Sequence, residues 1–151
     1  MKHEQIFVEY PNGLPRSTAQ EKGEKVLYRW KEGKKVPYIS HYRKDKVKSF
    51  RTILGFKLKP FRPKTPSIYP IKLEIYTYFD IKAPKKLWGK YKTTKPDCDN
   101  YVKEIKDVMT ELGFWKDDAQ VVDLHVVKYF AEKGSIVIRW EEIDDGKVNR
   151  E

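Results

Sequence analysis

The segment 71–81 constrains the fold more than any other, because apolar and polar side chains alternate along it. Successive side chains of a β-strand point to opposite faces, so the alternation predicts a strand with one buried face. The buried set is Ile71, Leu73, Ile75, Thr77, Phe79 and Ile81, and the other face carries Lys72, Glu74, Tyr76, Tyr78 and Asp80. We therefore expect a sheet with a layer packed on one face.

Two segments have the apolar spacing of amphipathic helices and can form this layer. In residues 41–57 the stripe is Val47, Phe50, Ile53, Leu54 and the adjoining Leu58; in residues 100–112 it is Tyr101, Val102, Ile105, Val108, Met109 and Leu112. Asp99 or Asn100 can cap the second helix, and Gly113 is placed to end it. Prolines at positions 60, 63, 66 and 70 forbid regular structure between the first helix and the strand.

The remaining elements are shorter. Residues 5–10 predict a first strand, residues 13–35 are polar and irregular, and residues 36–40 predict a short edge segment. Residues 120–130 and 135–142 predict two strands joined as a hairpin by residues 131–134. The expected fold is α+β: a single domain over residues 1–142 with a small, mostly antiparallel or mixed sheet and two main helices, then a polar tail over residues 143–151.

The charge is distributed unevenly along the chain. Residues 1–96 contain 24 Lys and Arg against 8 Asp and Glu, whereas residues 97–151 contain 8 against 14. A positive field of this kind attracts polyanions such as nucleic acid. No apolar stretch is long enough to span a membrane or resembles a secretory signal, so we expect a cytoplasmic protein. The lone Cys98 excludes an internal disulfide, and the scattered histidines give no support for a zinc site.

The segment 82–96 is the strongest candidate for contact with DNA, because it holds six lysines and no acid. Aromatic residues between the lysines can stack on unpaired bases. The predicted contacts are Lys85, Lys86, Trp88, Lys90, Tyr91, Lys92 and Lys95. The alternative interpretation is a loop that packs on a second copy of the chain.

A cluster of carboxylates follows this basic segment directly. Asp97 and Asp99 are two residues apart at the start of a helix, where both can point at one Mg²⁺ ion. Lys103, four residues after Asp99, can reach a phosphate oxygen. Asp117 and Asp118 follow the helix, and a short return loop can bring one of them beside Asp97. Taken singly, each has an ordinary explanation as a helix cap, a surface ion pair or turn residues.

Taken together, these residues resemble a known family. The run from Lys95 to Lys103 with its D-x-D-N and lysine, then Asp107, and then the D-D-A-Q-V-V from Asp117, are similar to RusA-type Holliday-junction resolvases, and Lys128 also fits. The resemblance implies a homodimeric endonuclease that cuts four-way DNA junctions during recombination or repair, often of prophage type. It implies Mg²⁺, which Mn²⁺ can replace, with no membrane partner and no small-molecule cofactor.

The resemblance and the chemistry assign the same roles. Asp97, Asp99, Asp118 and Lys103 are implied to be catalytic; Asp97, Asp99 and Asp118 would hold the metal, with Asp117 as an auxiliary ligand, and Asn100 and Asp107 would support the site. Two other functions stay open: a catalytically inactive, structure-selective DNA-binding module, and another D-x-D enzyme such as a phosphatase. Metal-dependent nicking of junctions distinguishes a resolvase from both of these alternatives.

Overall fold

In the computed structural model, a four-stranded mixed sheet carries two α-helices on one face. The structure describes residues 1–10, 13–14, 22–43, 45–80 and 83–144. The strands are β1 (His3–Tyr10), β2 (Lys22–Lys31), β3 (Lys34–Arg43), β4 (Ile71–Phe79), β5 (Val121–Phe130) and β6 (Gly134–Glu142), and the helices are α1 (Asp45–Leu58) and α2 (Cys98–Leu112). The predicted α+β architecture with two main helices is confirmed. Most of the predicted tail, residues 145–151, lies outside the described residues.

The sheet has the strand order β1-β6-β4-β5. Burial alternates residue by residue along β4, with Ile71, Leu73, Ile75, Thr77 and Phe79 inside, as the polarity pattern predicts; Ile81 lies outside the described residues. β4 pairs antiparallel with β6 on one side and parallel with β5 on the other. The parallel pair arises because α2 carries the chain from β4 back to the beginning of β5, which forms a β-α-β crossover.

The predicted hairpin between the last two strands is wrong, because β4 lies between β5 and β6. The short connection crosses the end of β4, where the amide of Ala131 donates to the carbonyl of Phe79 at 3.0 Å. Two steps between adjacent strands amount to about 10 Å, a distance that three extended residues can span. Turn chemistry alone could not distinguish this crossing from a hairpin.

Three further segments differ from the sequence-based expectation. Residues 22–31 form β2 instead of an irregular stretch, and the expected edge segment 36–40 is the middle of the longer β3. Glu32 and Gly33, with φ of 51° and 75°, form the tight turn between them, and positive φ at both turn residues is typical of a two-residue hairpin. The helix expected over residues 41–57 begins only at Asp45, since residues 41–43 belong to β3.

The two helices and the sheet enclose one aromatic core. From α1, Phe50, Leu54 and Leu58 are buried, while Ile53 is 42% exposed and the side chain of Val47 lies outside the described residues. The predicted stripe of α2 is buried except for the half-buried Leu112. Gly113 ends α2 with a left-handed φ of 85°, as expected. Within the described parts of the chain, no helix is long and apolar enough to cross a membrane.

The proline-rich segment between α1 and β4 contains one short 3₁₀ turn (Lys59–Phe61) and otherwise follows the surface irregularly, as predicted. The buried Ser67 anchors it beside the end of α2. Its amide donates to the carbonyl of Phe114 at 3.0 Å, and its own carbonyl accepts from the amide of Lys116 at 3.3 Å. The segment is therefore part of the frame that holds the chain after α2.

Candidate active site

Asp97 occupies the N-cap position of α2, which corrects the expected cap at Asp99 or Asn100. An N-cap aspartate ordinarily accepts a hydrogen bond from the first turn, but the Asp97 side chain makes no capping bond. Its carboxylate is exposed, and so is Asp99, the second residue of the helix. Both carboxylates therefore project near the positive end of the helix dipole without being used by the helix backbone.

Lys103 and Asp107 follow Asp99 at intervals of four residues, so the three residues form one polar stripe along α2. The Lys103 ammonium donates to Oδ2 of Asp107 at 3.4 Å, and the two residues form an i, i+4 ion pair. The Lys103 side chain is 61% exposed, so its ammonium is accessible to a ligand in solution. An exposed pair of this type contributes little to stability, and its effect is to restrict where the ammonium lies.

Arg51 of α1 contacts the same aspartate, and sequence reasoning missed it. Its guanidinium lies 3.7 Å from Oδ2 of Asp107, donates to Glu104 at 2.8 Å and also binds Glu111. Burial alone would lower the pKa of the Arg51 guanidinium, but the hydrogen bond and charge of Glu104, together with Glu111, raise this pKa above its ordinary value. Asp107 is therefore held between two cations, one from each helix.

Lys128 on β5 fixes the loop that leads into α2. Its ammonium donates to the carbonyls of Thr94 at 2.8 Å and Pro96 at 2.7 Å. The amide of Lys92 donates to the Lys128 carbonyl, so this loop continues the edge of β5. The position of Asp97, directly after Pro96, therefore depends on a lysine far along the chain.

Asp117 and Asp118 have different structural roles. Asp117 caps the 3₁₀ turn Asp118–Gln120, since its Oδ1 accepts from the amide of Ala119 at 2.8 Å. Gln120 completes this capping box by accepting from the amides of Lys116 and Asp117, and its amide group donates to Ser67 and Tyr69. Asp118 follows in the first turn with a half-exposed side chain. Asp117 is thus engaged in shaping the loop that presents Asp118.

The two ends of α2 pack against opposite ends of β4. In the first turns of α2, the ring of Tyr101 lies 5.3 Å from that of Phe79, which ends β4. Just after α2, the ring of Phe114 lies 5.7 Å from that of Trp140, which pairs with Leu73 near the beginning of β4. The helix has 15 residues and is therefore about 22 Å long.

This packing separates the predicted metal ligands. Asp97 and Asp99 lie at the beginning of α2, whereas Asp118 precedes Val121, which pairs with Ile71 at the other end of the sheet. Among the described residues, no group of three or more His, Cys, Asp or Glu side chains could hold a metal ion. The expected return of Asp118 to Asp97 within one chain is wrong, because a full-length helix lies between them.

The residues predicted to contact DNA fall into two groups. Lys85, Lys86, Lys90, Tyr91 and Lys95 are exposed, whereas Trp88 is half-buried and Lys92 is only 6% exposed. Trp88 donates its indole N–H to the carbonyl of Ala83 at 3.1 Å. The Lys92 ammonium lies over the rings of Phe79 and Phe130 at 5.5 and 5.1 Å. Lys92 is therefore placed for packing and not for contact with a phosphate at the surface.

Comparisons with known proteins identify relatives of this chain. The family described as Endodeoxyribonuclease RusA matches residues 16–141. The crossover junction endodeoxyribonuclease rusA of Lactococcus phage r1t is 40% identical over 74 residues, covering 49% of this chain and 56% of that protein. The uncharacterized protein YqaN of Bacillus subtilis (strain 168) is 33% identical over 110 residues, covering 65% and 75%.

A shorter match at higher identity links the chain to the crossover junction endodeoxyribonuclease RusA of Escherichia coli (strain K12), which is 55% identical over 38 residues. That match covers 25% of this chain and 32% of the Escherichia coli protein. The similarity to the phage protein spans about half of that protein's length, whereas the family match extends from within the N-terminal region to β6. The chain therefore belongs to the RusA family.

Proposed function

We propose that this protein is a metal-dependent endodeoxyribonuclease that resolves four-way DNA junctions as a homodimer. The observation that carries the proposal is the beginning of α2, where two exposed carboxylates and the Lys103 ammonium share one helix directly behind a lysine-rich loop. The names of the phage and Escherichia coli relatives support the reaction class. A lysine-rich surface would bind the DNA that carboxylates alone would repel.

The donor set fits a hard divalent cation such as Mg²⁺. Carboxylate oxygens are its preferred protein ligands, and the Asp97 carboxylate is not used in capping α2. Asp97, Asp99 and Asp118 would hold the ion, and Asp117 would support Asp118 through the capping box. When bound, the ion neutralises phosphate charge and lowers the pKa of a coordinated water.

Lys103 would stabilise the negative charge that develops on the phosphate. Its ammonium lies about one turn beyond Asp99 on the same stripe, and Asp107 restricts its position. Groups that are fixed before the reaction stabilise developing charge more effectively than groups that must reorganise. Asp107 is itself held by Arg51, so we assign Asp107 as a positioning residue. Asn100, in the first turn of α2, would support the neighbouring carboxylates.

The separation of the carboxylates supports a dimer with shared sites. A two-fold axis perpendicular to α2 near its middle would place the beginning of this helix beside the end of its symmetry mate. Asp97 and Asp99 of one subunit would then meet Asp118 of the partner subunit, and two equivalent sites would form. Two nicks at symmetric positions of a four-way junction require such a pair of sites.

The first test is the variant Asp97→Asn on a synthetic four-way junction with Mg²⁺. We expect cleavage to fall by more than about 100-fold, because even a group that only supports a metal ligand contributes about 10- to 100-fold. Junction affinity measured without divalent metal should stay near that of the wild type. Cleavage by the variant at the wild-type rate would contradict the assignment.

Mixing two inactive variants tests whether the sites are shared. Asp97→Asn and Asp118→Asn, each inactive alone, should regain single-strand nicking when co-refolded, because a shared-site heterodimer contains one site with all its native carboxylates. If each site belonged to one chain, every site in the mixture would lack a carboxylate. Mixed dimers that form but never nick would therefore contradict shared sites while leaving the reaction class intact.

The alternative is a DNA-binding module without activity. The complete set of acids at the two ends of α2 argues against it, because a purely binding surface gains nothing from exposed carboxylates beside DNA. Purified protein that binds junctions tightly and never nicks them in Mg²⁺ or Mn²⁺ would favour this alternative.

A further inference from the structure

The β2–β3 ribbon, residues 22–43, is a two-stranded antiparallel element outside the four-stranded sheet. Five of its large apolar side chains are exposed instead of buried: Val26 58%, Tyr28 58%, Trp30 75%, Tyr38 39% and Ile39 60%. An isolated hairpin is marginally stable in water, and exposed aromatic residues next to one another mark interaction sites. The ribbon therefore has the features of a binding element.

Its two faces differ in chemistry. Residues directly opposite each other in an antiparallel pair share a face. One face carries Val26, Tyr28 and Trp30 of β2 opposite Ile39, Pro37 and Lys35 of β3. The other face carries Lys25, Leu27, Arg29 and Lys31 opposite Ser40, Tyr38, Val36 and Lys34. One face is thus mainly aromatic and aliphatic, and the other, in which four of the eight residues are Lys or Arg, is the more basic; we call it the basic face.

The charge of the ribbon identifies the class of its partner. Residues 22–43 contain seven Lys and Arg against two acids, Glu24 and Glu32. Cations also lie over the aromatic rings, with the Lys35 ammonium 4.7 Å from the Tyr28 ring centroid and the Arg29 guanidinium 5.6 Å from that of Tyr38. Basic side chains beside exposed rings match a polyanion that also offers flat bases.

The dimensions of the ribbon match those of DNA. Each strand has 10 residues and is therefore about 33 Å long, close to one turn of B-DNA. The major groove admits a two-stranded ribbon. Trp30 pairs with Lys35 one step from the turn residues Glu32 and Gly33, so an exposed indole lies near the tip of the element.

We propose that the β2–β3 ribbon binds branched DNA, with its basic face on phosphates and Trp30 stacked on bases exposed at the branch point. This proposal rests on the proposed function for its substrate and assigns that substrate a contact surface outside the carboxylate sites. The ribbon gives the protein a way to distinguish a junction from a duplex, because bases are accessible to an indole only where stacking is interrupted.

The test compares the affinities of variants for a labelled four-way junction and a linear duplex of the same arm sequence, measured by anisotropy without divalent metal. Trp30→Ala should weaken junction binding by about 5- to 100-fold, the usual effect of losing one aromatic stacking partner. Trp30→Ala should weaken duplex binding less than junction binding. Trp30→Phe, which keeps an aromatic ring, should retain most of the wild-type affinity for the junction. Phe56→Ala is the matched control, because Phe56 is 82% exposed on α1 outside the ribbon.

The basic face has a separate readout. The double variant Lys31→Ala/Lys34→Ala should weaken junction and duplex binding alike and reduce the slope of log affinity against log salt by about 1.8, since about 0.9 of a counterion is released for each phosphate contact. Lys133→Ala removes an exposed lysine on the β5–β6 connection and serves as the charge control.

The results of these experiments test the DNA contact of the ribbon and the proposed nuclease function separately. If the wild type cleaves junctions and both ribbon variants bind them with wild-type affinity, the ribbon proposal is wrong and the function stands. If binding depends on the ribbon but no metal restores cleavage, the nuclease function fails and the ribbon proposal stands. Variants that alter self-association in sedimentation without changing DNA affinity would assign the ribbon to a second copy of the chain and contradict a DNA contact.

Discussion

At the scale of single residues, the polar groups of α2 depend on partners from distant segments. Arg51 of α1 joins Glu104, Asp107 and Glu111 on α2. The side chains of Arg51 and Glu104 are only 9% and 1% exposed, so this pair is largely removed from water. Such a pair is costly to break, because the remaining charge stays buried without a counterion.

Replacing Arg51 with methionine should therefore destabilise the protein by about 3 kcal/mol, the lower end of the range for breaking a buried ion pair. Urea denaturation monitored by circular dichroism would measure this loss as a lower midpoint. The double variant Arg51→Met/Glu104→Met should recover part of the stability, because neither charge then remains buried alone. A double variant no more stable than the single one would contradict this interpretation.

At the scale of the elements, the two ends of α2 differ. The beginning leaves the Asp97 carboxylate outside the capping role, whereas Gly113 closes the other end with a φ of 85° and its amide bonded to the carbonyls of Met109 and Thr110. L-residues with a Cβ rarely adopt this conformation. The end of α2 is therefore built for stability, and its beginning leaves carboxylates available for ligands.

A pair of glycine substitutions tests this difference. Gly113→Ala should destabilise the protein by about 1 kcal/mol, the approximate cost of forcing a non-glycine residue into the left-handed region. Gly55→Ala, inside α1, should be neutral or stabilise by up to about 1 kcal/mol, since a Cβ there meets only Val108 at 3.8 Å. Thermal or urea unfolding should show a loss of stability for Gly113→Ala and none for Gly55→Ala, and equal losses at both positions would refute the argument.

At the scale of the whole molecule, the length of α2 connects the fold to the proposed dimer. One chain presents Asp97 and Asp99 at one end of this helix and Asp118 beyond the other. A helix of about 22 Å cannot place all three on one ion. The basic N-terminal part and the acidic C-terminal part of the sequence meet at the beginning of α2, where the lysine-rich loop precedes Asp97.

Dilution of the protein should therefore reduce cleavage more steeply than the loss of DNA binding alone would. A dimer of 18.0 kDa chains that shares its sites loses both sites on dissociation, so cleavage should fall with the square of protein concentration below the dimer dissociation constant. Sedimentation at the same concentrations would show the change from two chains to one. A rate that stays linear in protein concentration through that transition would contradict shared sites.

Local patterns in the sequence predicted much of the fold correctly. The alternation in β4, the apolar stripe of α2 and Gly113 at its end each depend on neighbours within a few residues, and the structure confirms them. The expected boundary of α1 and the irregular stretch before it were wrong, because the tight turn at Glu32 and Gly33 gives a weak local signal. The acid cluster and its division between the two ends of α2 were visible in the sequence, but the sequence did not show that the chain after α2 keeps Asp118 away from Asp97.

The sequence by itself determined the strand β4, the helix α2, the charge asymmetry and the candidate residues for a metal or a phosphate, since side-chain chemistry and short-range periodicity are local properties. Only the tertiary structure decided that β4 lies between β5 and β6, that Arg51 reaches Asp107, and that Asp118 stays at the far end of α2. These facts depend on how distant segments share one core. Contacts between distant segments form wherever they bury the most apolar surface at the lowest entropic cost, and the composition of either segment alone does not fix that choice.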